Sequence, residues 1–207
     1  IVFEGVEGCG KSYQSQKLIR SLKKKGINPI LTREPGGTRS AESIRTLILK
    51  DYFNKGKEEK FDKYTDTLLY LAARNEHIKN KIEPALKRKK VVICDRFIDS
   101  TIAYQVYGKK VNRSFIDNIH KFILQGIKPN LVFILKVSSK SSKLRLKKRK
   151  TKNRYDNFSK SFYSKAQKSF LKIAKNKKNY YILDSSKNDR FLEEKIFKIT
   201  SKHLNLK

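Results

Sequence analysis

The sequence predicts an α/β fold: a parallel β-sheet flanked by helices on both faces, in a three-layer α/β/α arrangement that forms one domain over residues 1–207. Three observations carry that expectation. Short apolar runs alternate with amphipathic stretches of ten or more residues along the whole chain, the pattern of β–α–β units around a parallel sheet. The first run, Ile1-Val2-Phe3, leads directly into Gly5-Val6-Glu7-Gly8-Cys9-Gly10-Lys11-Ser12. This is a glycine-rich loop of the form G-x-x-x-x-G-K-[ST], which works only between a strand and a helix. The third observation is length, since 207 residues suit a single α/β domain with a proper core.

Each element follows from its own residues. Leu18, Ile19 and Leu22 form the apolar stripe of a helix over Tyr13–Lys25, and Gly26 ends it. Pro29–Thr32 reads as the second strand, followed by Arg33-Glu34-Pro35-Gly36-Gly37. Ala41–Lys50 is helical, with Ile44, Leu47 and Ile48 on one side, and Tyr52–Lys60 reads as a charged loop. From Phe61 to Lys89, apolar residues including Leu68, Leu71, Ile78 and Ile82 recur at three- or four-residue steps. That spacing predicts a long helix, which Pro84 should kink or divide. Val91–Cys94 is a fully apolar strand running into Asp95-Arg96. Helices are expected over Ile98–Tyr107 and Ser114–Gln125, and a buried strand over Leu131–Val137. A further helix over Phe158–Ala174, a last strand over Tyr180–Leu183 and a last helix over Arg190–Leu204 complete the pattern. The very basic segment Ser138–Asn153 lies between core elements. That placement suggests a short basic lid, about residues 143–156, rather than a tail.

Composition narrows the setting. No segment has the 18 or so uninterrupted apolar residues of a membrane span, and no signal peptide is expected, because the chain opens on a strand. The missing initiator Met implies that a few residues precede Ile1 in the natural protein. Two cysteines, Cys9 and Cys94, have neither the count nor the spacing of a disulfide framework or zinc site, which suits the cytoplasm. The net charge of +31 raises nucleic-acid binding as a function. However, 38 Lys stand against 12 Arg, and the bias runs through the whole chain rather than one patch. A lysine-rich composition explains this better than a specific nucleic-acid surface. The charge still attracts anionic substrates.

The motifs point to phosphoryl chemistry. A glycine-rich loop can wrap backbone N–H groups around a polyphosphate. Lys11 adds a point charge at the β- and γ-phosphates, and the Ser12 hydroxyl can ligate Mg²⁺. Asp95-Arg96 ends a buried strand, where open α/β sheets bind ligands. The carboxylate can hold Mg²⁺ there, and the guanidinium can bridge phosphoryl oxygens. Seven Lys or Arg lie between Arg145 and Arg154. A closing basic lid would bring cations to the transferring group, though the sequence leaves open which of them acts. Tyr70 and Arg74, four apart on one helix face, suit a planar base with a carbonyl edge. Ser100, Thr101, Tyr104 and Gln105 supply polar side chains near the same strand end. His77, His120 and His203 show no ligand spacing, are expected to have no acid partner, and read as structural or exposed.

Together Gly5–Ser12, Thr32-Arg-Glu-Pro-Gly-Gly-Thr38, Ala72-Ala-Arg74, Asp95-Arg-Phe97 and Ser100-Thr-Ile-Ala-Tyr-Gln105 resemble the bacterial thymidylate kinase family, over nearly the whole chain. The resemblance implies a phosphate-loop kinase that moves the γ-phosphate of ATP to dTMP with Mg²⁺, giving dTDP and ADP. It implies that Gly5, Val6, Glu7, Gly8, Cys9, Gly10, Lys11 and Ser12 bind ATP, and that Ser12 and Asp95 hold the metal. Glu7 would lie near the sugar 3′-hydroxyl, Tyr70 would stack on thymine, and Arg74 would reach the thymine carbonyl. Arg96 would hold the dTMP phosphate, with Arg33 and Arg45 as further candidates. Ser100, Thr101 and Gln105 would border the acceptor, Thr101 at the base edge, and Tyr104 would disfavour a 2′-hydroxyl. Lys11, Arg96, Arg149 and Arg154 are the expected catalytic cations. One family arginine position falls at Arg145 or Leu146, depending on a gap. The resemblance further implies a homodimer, no membrane association and no specific nucleic-acid partner. The competing readings are a kinase for another nucleotide or deoxynucleoside, and a non-catalytic, nucleic-acid-associated nucleotide-binding protein.

Overall fold

The computed structural model describes residues 1–49, 61–149 and 159–206. The expected loop over 52–60 and the lid residues 150–156, Arg154 among them, lie outside these. Among the described residues, five parallel strands form one sheet: β1 (Val2–Glu4), β2 (Ile30–Arg33), β3 (Val92–Asp95), β4 (Val132–Lys136) and β5 (Tyr180–Asp184), in the order β2-β3-β1-β4-β5. The central strands are buried on both faces, so they read as continuous apolar runs rather than alternating ones; Phe3, Ile93, Phe133 and Ile134 are almost completely enclosed. β1 pairs with β3 on one side and β4 on the other. From β1 the chain crosses to the edge strand β2, returns to β3, and then continues on the other side of β1 through β4 to β5; this switch in direction puts the ligand crevice beyond the carboxyl end of β1.

The helices fall where the apolar periodicity places them. α1 (Lys11–Lys24) buries Leu18 and Leu22 and packs with α9 (Arg190–His203). α8 (Lys160–Ala174) packs on β4, β5 and the segment after β3. α2 (Arg39–Leu49) lies on α3 (Lys63–His77), which also meets α6 (Arg113–Leu124). Among the described residues, no helix is long and apolar enough to cross a membrane.

Two expected helices differ from the regular form. The stretch to Lys89 breaks one turn before Pro84, in a π-helical segment Ile78–Ile82 that leads into α4 (Glu83–Lys87). Proline has no N–H to donate, and its ring clashes with the carbonyl four residues back; the wider turn relieves both problems. The stretch after β3 starts as α5 (Ile98–Thr101) and continues as a π-helix over Ile102–Gly108. The start of the basic segment is also corrected. Ser139–Lys147 forms helix α7, N-capped by Ser138, so the first part of the expected lid is a fixed element packed on the glycine-rich loop.

Candidate active site

The glycine-rich loop leaves β1 and enters α1 through backbone that only glycine adopts comfortably. Gly5 has φ +138°, and a Cβ there would lie 2.6 Å from the Leu135 carbonyl oxygen. Gly10, with φ +96°, is the left-handed residue before α1. Lys11 is buried at the first turn and donates to the carbonyls of Gly5 and Val6 at 3.0 and 2.9 Å. Its ammonium is thus held within the loop, beside the positive end of a helix dipole. α7 and the β5–α9 loop clamp the loop from outside. Ser142 Oγ donates to the Glu7 carbonyl at 2.8 Å. Arg145 donates to the Gly8 carbonyl at 3.1 Å and to those of Ser185 and Ser186 at 2.8 and 2.6 Å. Arg145 therefore acts as a strut tying three segments together.

Ser12 Oγ donates to Asp95 Oδ2 at 2.5 Å, so a strand-end carboxylate and a loop hydroxyl meet at the end of the phosphate loop. Among the described residues no cluster of three or more acidic, His or Cys side chains could cage a metal. Mg²⁺ needs no such cage when substrate phosphates and water complete its shell. These two hard oxygen ligands fit that ion.

On the other side of the loop lies a second cleft, lined by Glu7, Pro35, Tyr70, Arg74, Arg96, Phe97, Ser100, Thr101, Tyr104 and Gln105. Arg96 takes a left-handed backbone, φ +72°, which is strained for a side chain of this size. Its guanidinium folds back across the strand ends, donating to Glu7 at 2.6 Å, the Gly5 carbonyl at 2.9 Å and Ser100 Oγ at 3.1 Å. It also lies 5.4 Å from the centre of the Tyr104 ring. Tyr104 donates to the other Glu7 oxygen at 2.7 Å and stacks on Phe162 of α8. Burial pushes the Glu7 carboxyl up, but Arg96, Lys11 and the Tyr104 hydroxyl outweigh it and hold it below the usual carboxylate range. Burial and Glu7 together raise the Tyr104 hydroxyl well above its ordinary value, so it stays a donor. Gln105 is buried with Nε2 unpaired among the described residues, a donor available to a ligand in the cleft.

The remaining candidates divide. Tyr70, Arg74, Ser100 and Thr101 all line the cleft. Arg45 donates to the Pro35 carbonyl at 2.6 Å, next to it. Arg33 does not join them, since its exposed guanidinium is held by Glu42 at 3.1 Å. Arg149 follows α7 directly. One histidine reading is corrected, and a second histidine gains a partner. His77 does have an acid partner, with Nδ1 3.1 Å from Glu34 and Nε2 2.6 Å from Thr32 Oγ1. His120 touches Arg74. Sequence reasoning also missed Glu4 at the end of β1. It is fully buried and accepts from Phe97 N, Ser100 N and Ser100 Oγ at 2.7, 3.2 and 2.6 Å. Burial and the nearby Asp99 push it up to about 8. A charged residue in an otherwise apolar strand was the available signal. An apolar cavity of about 240 Å³ near Ile1, Leu86 and Pro129 lies at the opposite, amino-terminal end of the strands, away from this chemistry.

A glycine-rich loop with its lysine, a Ser–Asp pair beside it and a polar acceptor cleft within reach define a phosphate-loop nucleotide kinase. The model of the family described as thymidylate kinase matches residues 3–196. The chain is 40% identical over 188 residues to the thymidylate kinase of Geobacillus sp. (strain WCH70), covering 89% of this chain and 87% of that one. It is 45% identical over 177 residues to that of Wolbachia pipientis subsp. Culex pipiens (strain wPip), covering 84% and 80%. The crystal structure of thymidylate kinase from Ehrlichia chaffeensis superposes with a TM-score of 0.74 at 33% identity, over 96% of each chain. The chain belongs to the thymidylate kinase family.

Proposed function

We propose that this chain transfers the γ-phosphate of ATP to dTMP, giving dTDP and ADP. The observation that carries the reading is the adjacency of two sites that share Glu7. Its backbone lies in the phosphate loop, while its carboxylate faces the acceptor cleft and binds Arg96 and Tyr104. ATP phosphates would lie on the loop N–H groups and Lys11. Arg96 would take the phosphate of dTMP, Tyr70 and Arg74 the base, and Tyr104 the sugar. Ser12 and Asp95 would hold Mg²⁺, which when bound neutralises charge on the β- and γ-phosphoryl oxygens. The chain's own contribution is in-line positioning and charge stabilisation, without a covalent intermediate. Arg149, together with Arg154 beyond the described residues, would close on the transferring group. Coupled ADP release with ATP against dTMP, dUMP, UMP, dCMP, AMP and GMP tests the reading. The expected result is a strong preference for dTMP; equal use of another acceptor overturns it.

The same reading includes a homodimer in a reducing, cytoplasmic setting. Leu68 on α3 and Phe122 on α6 are 47% and 78% exposed, large apolar groups on two helices already in contact. Leu71, on the same helix as Leu68, is buried inside the chain. Two buried free cysteines suit a reducing compartment. The charge of +31 opposes association at low salt, so sedimentation at physiological salt is the measurement. Only monomer at micromolar chain counts against the dimer.

A further inference from the structure

We propose that His120 is a positioning residue that sets acceptor-base selectivity by fixing the direction of the one Arg74 N–H left for the ligand. The inference rests on reading the second cleft as the dTMP site. Arg74 is 3% exposed and carries five N–H donors on a rigid plane. Nε donates to Glu34 Oε2 at 2.7 Å, and Nη2 lies 2.7 Å from the same oxygen. Nη2 also donates to the Phe97 carbonyl at 2.9 Å. These contacts anchor one edge of the plane. The opposite corner, Nη1, is anchored by His120 Nε2 at 2.8 Å. One Nη1 hydrogen is then uncommitted among the described residues, on a side chain that lines the cleft.

The protonation of His120 follows from the contact. A guanidinium only donates, so His120 Nε2 must accept, with the ring proton on Nδ1 and the imidazole neutral. Burial, Arg74 and Arg113 all act in the same sense and lower it to about 3. His120 therefore stays an acceptor across the working pH range. With both edges held, the remaining N–H points in one direction and demands a carbonyl there. An exocyclic amino group at that position, as on cytosine, meets donor against donor. Without His120, Nη1 can tilt, and the direction of the last donor is lost.

The test is steady-state kinetics on the whole protein with dTMP and dCMP, beside calorimetric binding of each nucleotide. His120→Leu removes the acceptor while filling the site. Losing a hydrogen bond to a charged group should raise KM for dTMP roughly tenfold to a hundredfold. The dTMP-over-dCMP ratio should fall by a similar factor, while KM for ATP and turnover at saturation change little. His120→Gln, whose Oε1 can take the place of Nε2, should restore most of both. Should the Leu variant fail to fold, His120→Ala is read in the same way. An unchanged KM and ratio overturn the proposal. So does a rise in both KM values together with a lowered melting temperature, or a Gln variant no better than Leu. Failure of the wild-type enzyme to phosphorylate dTMP would instead sink the functional reading, and calorimetry would still report on His120.

Discussion

Glu34→Gln isolates the charge that keeps Arg74 buried. Glu34 and Arg74 are 5% and 3% exposed, and the carboxylate takes Nε and Nη2 of Arg74 at 2.7 Å and faces His77 Nδ1 at 3.1 Å. Glutamine keeps the shape and one acceptor oxygen, and a change of His77 tautomer can satisfy the new amide. The loss is therefore chiefly the negative charge opposite a buried guanidinium. Breaking such a pair costs about 3–5 kcal/mol, which at about 2–4 °C per kcal/mol for a chain of this size lowers the melting temperature by about 6–20 °C. The pH dependence gives a second check. Burial raises the Glu34 carboxyl, but Arg74 and His77 outweigh it and hold it below its ordinary value. A depressed folded-state value means that the stability is present above the unfolded carboxylate range and is lost as pH falls through the folded value. The gap between wild type and Glu34→Gln should thus stay constant from pH 8 to about 5 and shrink below that. Thermal unfolding followed by circular dichroism across this range is the assay. A loss under about 1 kcal/mol at pH 7.5, or a gap unchanged down to pH 3, would refute the reasoning.

Lys11→Ala should lower turnover by at least about a hundredfold while the melting temperature holds near wild type, because charge at the transferring phosphates is lost; near-normal activity in the folded variant contradicts the donor-site assignment. Wild type should favour dTMP over its ribo analogue by a factor of about a hundred or more, and Tyr104→Ala should narrow that ratio in competition assays, whereas equal use of both sugars by wild type removes Tyr104 from this role. Arg149→Ala and Arg154→Ala, singly and together, should depress turnover much more than ATP or dTMP affinity, with only partial rescue by lysine. Full turnover in the double variant would move the catalytic cation to Arg45 or Arg96.

What the sequence made legible was contiguous. The phosphate loop, Asp95-Arg96 and Ser100–Gln105 are short runs whose geometry is set locally. The buried strands announce themselves by apolar runs bounded by turn residues. The helix ends agree within a few residues because capping side chains are local too: Asn112 accepts from Ser114 N, and Asp189 from Leu192 N. The π-helical segments escaped because one wide turn shifts the apolar period too little to register in a short window. The polar core under the acceptor cleft escaped for a different reason. Glu34, Arg74, Phe97 and His120 come from four segments, the first and last separated by 86 positions in the chain. Sequence neighbours also mislead for His77: the adjacent acid, Glu76, accepts from Ser40, and the partner Glu34 comes from a distant segment of the fold.

Arg33 marks where sequence reasoning stopped short of what it could have reached. Arg33 and Arg45 were equal candidates for the acceptor phosphate, and only Arg45 lies at the cleft. The difference is a matter of strand parity. Thr32 and Glu34 both touch His77, so both side chains project to the side where α3 packs. Successive residues of an extended chain alternate sides, so Arg33, at the end of β2 between them, must face away. There it meets Glu42, one turn into α2. Once Glu34 is assigned to the buried side of the chain just past β2, Arg33 is expected on the opposite side, where it shares Glu42 with Arg45. The signal was a carboxylate between an arginine and a proline, read only as part of a motif. Treating it as a buried acid in need of a cation would have led to Arg74 and would have settled the side on which every neighbour lies.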